Sequence, residues 1–170
     1  MLFWPDFFCK SLIDQGFRVI RFDNRDIGLS SKVRHQGKRL NTMKLMGRFA
    51  LGLRNQGAPY TLYDMADDVS MLLDRLGVSK AHVIGASMGG MIAQILAAKY
   101  PEKVEKLGLM FTSNNQPFLP PPFPKQLLSL IGKPESRDEE GIVNHSLKLF
   151  QLIGSPGYIN HIEAVQTARK

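Results

Sequence analysis

Two glycines bracket a serine in Gly85-Ala86-Ser87-Met88-Gly89, and Gly90 follows directly. The residues before it, Ala81-His82-Val83-Ile84, read as a strand. After it, Met91, Ile92, Ile95 and Leu96 recur at helical spacing until Pro101 stops them. A chain that passes from strand to helix in so few residues turns sharply and packs closely on either side of the turn. The flanking positions must then be small, a need that Gly85 and Gly89 meet, while Gly90 adds room. The next strand-like run is Leu107-Gly108-Leu109-Met110-Phe111. A strand, a helix and a second strand in this order predict parallel pairing, which points to an α/β architecture.

The rest of the chain extends the alternation. Trp4, Phe8 and Leu12 lie on one helical stripe that Gly16 ends, and Phe17 to Phe22 reads as a strand with β-branched Val19 and Ile20. Asp23 to Gly28 carries turn chemistry. A short helix is expected near Met43 to Leu53, and Gln56 to Pro59 closes that segment. Thr61 sits three residues before Asp64, the spacing of a capping box, and Met65, Val69, Leu72, Leu73 and Leu76 form an apolar face ending at Gly77. Residues 1–113 are therefore read as a core. Asn114 to Pro124 reads as a stiff loop, and Lys125 to Lys170 as a helical tail broken at Gly154-Ser155-Pro156-Gly157, with no strand in it.

Charge and cysteine usage narrow the partners. The net charge is +7, and its excess lies between Ser31 and Tyr63, where seven basic residues meet no acidic one. Such a segment reads either as a solvated insertion or as a patch for nucleic acid or an anionic membrane surface, and no groove-reading motif accompanies it. Every apolar run is interrupted by charge, so no membrane span is expected. The first residues lack a basic leader, and Cys9 is the single cysteine. A cytoplasmic location is the expectation.

The serine motif carries the chemistry. A hydroxyl is a weak nucleophile until a base takes its proton, and it must project where base and substrate both reach it. A tight strand-to-helix turn achieves that. It also aims the first free N–H groups of the helix at the reaction centre, so the Met88 backbone N–H is the candidate donor to an oxyanion. Ser87 is thus the candidate catalytic nucleophile, with Gly85, Gly89 and Gly90 shaping the elbow. An idle serine on a glycine-rich turn would share the five-residue pattern; the matched strand and helix favour the nucleophile.

With these motifs in view, the chain from Leu2 to Gly157 resembles the α/β-hydrolase superfamily. The resemblance rests on GFRVIRFDNRDIGLSS, on YTLYDMADDVSMLLDRL and on HVIGASMGGMIAQILAAKYPEKVEKLGLM. The segments FTSNNQPFLPPPFP and LFQLIGSPGY resemble the entry to the helical cap of esterases similar to aclacinomycin methylesterase, which makes residues 114–170 a linker and the start of a cap. A serine, where dehalogenases and epoxide hydrolases of the family carry Asp, implies ester or related acyl substrates, an acyl-enzyme on Ser87, and no metal or organic cofactor.

The resemblance also implies parts that this chain does not carry. The family's His-Gly loop precedes the helix that here starts near Trp4, and its acid and histidine follow the cap. Asp138 with His145 or His161 has the right order but sits in the helical tail. His82, His35, Asp23, Asp26, Asp67 and Asp68 are not carried over. The family's intervening strand is missing as well, so Phe17 to Phe22 is not expected to reach Ala81 to Ile84. The expectation is a partial α/β-hydrolase fold, inactive alone, from a longer reading frame or a split protein with a complementing chain. A non-catalytic binding module is the alternative if the chain is naturally complete.

Overall fold

The computed structural model describes residues 4–33, 48, 58–114, 116, 119, 132, 134, 136, 138–153 and 165. The helix expected near Met43 to Leu53, apart from Arg48, lies outside them. So do His35, His161 and most of the basic segment, the Pro-rich loop and the terminal tail. The chain divides into two compact units, Lys32–Leu119 and Met1–Ser31 with Pro120–Lys170.

In the second of these, helix α1 covers Asp6–Asp14. Trp4 stacks on Phe8 with ring centroids 5.2 Å apart. Arg21 binds the Trp4 carbonyl at 2.9 Å and the Asp6 carboxylate at 2.8 Å, which draws the following segment back over the helix start. Gly16 closes α1 as expected, with the Phe17 N–H donating to the Leu12 carbonyl at 3.1 Å. Phe17 to Phe22, however, is not a strand. Its β-branched residues favour a pleated backbone, but a strand exists only where a neighbour completes its ladder. The turn after it is present: Asp26 adopts φ 67° and its N–H donates to the Ser31 carbonyl.

The unit Lys32–Leu119 holds the sheet. Helix α2, Leu62–Arg75, begins with the expected capping box. The Thr61 hydroxyl accepts from the Asp64 N–H at 3.4 Å, and the Asp64 carboxylate accepts from the Thr61 N–H at 2.7 Å. Thr61→Ala should cost about 1 kcal/mol, read as roughly fivefold faster amide exchange in the first turn of α2. At the other end Gly77 takes φ 65°, where a side chain would be strained. Val78 N–H then reaches the Leu73 carbonyl at 2.9 Å and closes the helix.

Strand β1, Ala81–Ala86, runs into helix α3, Met88–Lys99. A 3-10 turn at Pro101–Lys103 leads to strand β2, Val104–Met110. The strands pair in parallel, Val83 opposite Leu107 and Gly85 opposite Leu109. They are the only strands among the described residues. Met65, Ala66, Val69, Ile92 and Leu96 form the core between α2, α3 and the sheet, with Val83 and Val104 packed against it. Leu76, expected on the buried face of α2, is exposed, and Ala66 and Ser70 are buried instead.

Two polar ties fasten α2 to the end of α3 and to the 3-10 turn after it. The Lys99 ammonium binds both oxygens of Asp67, at 2.6 and 2.9 Å, and the Tyr100 hydroxyl donates to Asp67 at 2.8 Å. Lys103 bonds the buried Ser70 hydroxyl at 2.8 Å and the Asp74 carboxylate at 2.6 Å. Lys99 and the Tyr100 hydroxyl hold the Asp67 carboxyl below its ordinary pKa, and Asp67 in turn raises that of Lys99. A depressed carboxyl stabilises the fold above its unfolded pKa and loses that contribution as pH falls through the folded one; a raised ammonium stabilises below its unfolded pKa and loses it as pH rises through the folded one. The tie should therefore hold fully between about pH 4 and pH 10. An NMR titration should show the Asp67 carboxyl midpoint below the ordinary aspartate value, and Lys99→Met should raise it; an unchanged midpoint would discount the tie.

Candidate active site

Ser87 stands between the last residue of β1 and the first of α3, with φ 51° and ψ −123°. A left-handed torsion at a non-glycine residue costs on the order of 1–3 kcal/mol and persists where surrounding contacts enforce it. Here they do. The Ser87 N–H donates to the Met110 carbonyl at 3.1 Å, at the end of β2. The Ser87 carbonyl accepts from the Gly90 and Met91 N–H groups at 3.0 and 3.2 Å, the first bonds of α3. Strand pairing fixes one side of the serine and helix initiation the other, so its side chain is turned outward.

Ser87 is exposed, and its hydroxyl makes no capping bond to the helix it precedes. That is unusual for a serine at a helix start, where the hydroxyl ordinarily accepts an N–H of the first turn. Met88 opens the helix and has no intrahelical acceptor for its N–H. Hydroxyl and N–H are thus presented together at the positive end of α3, an arrangement that suits a developing oxyanion next to an attacking oxygen.

The three glycines have different reasons to be small. A Cβ on Gly85 would lie 2.4 Å from the Gly89 carbonyl oxygen and 2.7 Å from the Gly90 Cα, so Gly85 is where strand and helix touch. A Cβ on Gly90 would lie 2.6 Å from the Thr112 side chain. A Cβ on Gly89 would meet nothing within 4 Å, so the steric need expected there is absent among the described residues.

The other polar candidates are placed elsewhere. His82 lies on β1, opposite Lys106. Five residues along a strand separate it from Ser87 by roughly 16 Å, beyond hydrogen-bond reach. Asp138 accepts from the Gly141 N–H at 2.9 Å and from the Ser136 hydroxyl, and so caps helix α4, Glu139–Ile153, which carries His145. Those two bonds, the serine's first, hold its pKa down. Asp67 is committed to Lys99 and Tyr100. Asp23 and Asp26 lie in the turn after Phe22. Among the described residues no group of three or more His, Cys, Asp or Glu side chains is placed to hold a metal ion. No described helix is long and apolar enough to cross a membrane.

The family profile for the alpha/beta hydrolase fold matches residues 2–148. The chain belongs to the α/β-hydrolase family. Within this family it is 36% identical over 107 residues to rhodomycin D methylesterase of Streptomyces peucetius, a match that takes in 63% of this chain and 29% of that one. It is 55% identical over 49 residues to homoserine O-acetyltransferase of Thermus thermophilus, 29% of this chain and 13% of the other. The crystal structure of a hydrolase from Pseudomonas aeruginosa shares the α/β-hydrolase fold, with TM-score 0.50 and 24% identity over 94% of this chain and 55% of that one. The chain therefore spans well under two thirds of the length of these relatives.

Sequence reasoning missed Thr112 and Gln94, which contact the elbow. The Thr112 hydroxyl donates to the Ser87 carbonyl at 2.6 Å. The Gln94 amide donates to the carbonyls of Gly90, at 3.2 Å, and Ser113, at 2.9 Å. The FTSN run after β2 carries no motif, and only Gln94, a polar residue amid the apolar positions of α3, hinted at a partner.

Proposed function

We propose that this chain carries the nucleophile of a serine hydrolase acting on carboxylic esters or related acyl compounds. The observation that carries the reading is an exposed serine held at φ 51° whose hydroxyl makes no capping bond, beside the Met88 N–H, which has no intrahelical acceptor. In the proposed reaction the Ser87 oxygen attacks the substrate carbonyl carbon while a general base takes its proton. The carbonyl oxygen becomes an oxyanion, stabilised by the Met88 N–H. Collapse expels the alcohol, which leaves with the proton returned by the base, and water then hydrolyses the acyl-serine by the same steps. No metal or cofactor enters.

The base, its acid partner and a second oxyanion donor are proposed to come from outside this sequence, from a longer polypeptide or a complementing chain. Residues 114–170 would then lead into a cap over the site. The location proposed is cytoplasmic. The isolated chain should hydrolyse 4-nitrophenyl acetate barely faster than its Ser87→Ala variant. Sequencing the flanking DNA tests the origin of the missing groups: an upstream His-Gly loop and a downstream Asp and late His would support it, and bounding start and stop signals would turn the search to a binding role.

The match to homoserine O-acetyltransferase supports a second reading in which the acyl-enzyme is discharged to an alcohol rather than to water. The two share every step up to the acyl-serine. Product analysis with and without an alcohol acceptor separates them.

A further inference from the structure

The carbonyl of Ser87 carries more hydrogen bonds than satisfaction requires. Gly90 and Met91 already donate to it as the first bonds of α3, and Thr112 adds a third, the shortest of them at 2.6 Å. The third bond crosses from the segment after β2, so its effect is positional. Thr112 sits against Gly90, whose missing Cβ leaves it room. Gln94 bridges the Gly90 and Ser113 carbonyls and holds that segment against α3. The chain reaches Thr112 through Phe111 at φ 35°, a torsion that bulky residues avoid. Two strained residues, Ser87 and Phe111, thus stand at the ends of neighbouring parallel strands, and the Thr112 bond lies between the turns they make.

The geometry of one peptide unit shows what the bond controls. The Ser87 carbonyl and the Met88 N–H belong to the same planar trans peptide and point in opposite directions. Anchoring the oxygen on the β2 side aims the N–H away from it, so whatever holds the carbonyl also holds the direction of the donor. We propose that Thr112, seated on Gly90 and backed by Gln94, is a positioning residue that sets the direction of the Met88 oxyanion donor. This rests on the reading of Ser87 as nucleophile.

Thr112→Val keeps the shape and removes the donor, and Thr112→Ser restores the donor alone. In the full chain, Thr112→Val should speed amide exchange at Ser87, Gly90 and Met91 about tenfold while Ile95 to Lys99 exchange as before, and Thr112→Ser should exchange like the wild type. In the catalytically complete protein, Thr112→Val should lower kcat for ester hydrolysis roughly tenfold to a hundredfold with KM unchanged, and Thr112→Ser should recover most of it. Unchanged exchange in Thr112→Val, or unchanged kcat with Ser87 still reactive, overturns the inference alone. A Ser87 that takes no acyl group in a protein whose exchange responds to Thr112→Val overturns the hydrolase reading, and with it any catalytic part for Thr112.

Discussion

Ser87→Ala in the catalytically complete protein should lower ester hydrolysis by about five to six orders of magnitude, the loss typical when a serine nucleophile is deleted. The substitution removes one oxygen and leaves the Cβ in place. Alanine at φ 51° carries the same backbone strain as serine, and the lost hydroxyl makes no capping bond. Stability should therefore change by less than about 0.5 kcal/mol, so that chemistry is separated from folding. The companion measurement is labelling with a fluorophosphonate followed by mass spectrometry of the peptide containing Gly85 to Gly90. A phosphonyl adduct on Ser87 in the wild type and none in the variant is the expected pair. Hydrolysis persisting within a hundredfold of the wild type in Ser87→Ala would sink the assignment.

The second large effect falls on the fold at the same turn. Gly85→Ala places a methyl group 2.4 Å from the Gly89 carbonyl oxygen and 2.7 Å from the Gly89 carbonyl carbon and the Gly90 Cα. All three are backbone atoms of the first turn of α3, which has no rotamer to swing aside. The strand and the helix must separate, at a cost of about 3 kcal/mol. Gly89→Ala is the internal comparison. It meets nothing within 4 Å, has no left-handed torsion to strain, and lies in a helix, where alanine is favoured over glycine by up to about 1 kcal/mol. Urea unfolding followed by circular dichroism should lower the midpoint for Gly85→Ala and hold or raise it for Gly89→Ala. Equal midpoints would mean that β1 and α3 do not pack as closely as their backbones are placed. The two glycines that frame the serine symmetrically in the sequence are thus not equivalent in space.

What could be read in advance divides by the range of the interaction. Thr61 with Asp64, Gly77 and Gly16 act on atoms within five residues, so their spacing alone announces where helices start and stop. The buried face of α2 was legible only in part. Met65, Val69 and Leu73 follow from periodicity, but Ala66 and Ser70 are buried because α3 and the Lys103 side chain come to cover them. Strand β2 starts three residues before the expected Leu107, since Val104-Glu105-Lys106 has too much charge to read as a strand and becomes one by pairing with β1. Phe17 to Phe22 fails in the opposite sense: its pattern is strand-like, and no strand among the described residues pairs with it.

By itself the sequence determined the elbow, its flanking strand and helix, and the serine at its apex, because a tight turn of small residues is a local steric requirement. It determined the helix ends for the same reason. The tertiary structure alone decided which backbone atoms Gly85 must clear, that Gly90 makes room for Thr112, and that Asp67 belongs to Lys99 and Tyr100, more than thirty residues away. Those contacts join segments whose separation along the chain carries no periodic signal, and they form only once β2 has paired with β1 and α3 has folded back across the sheet.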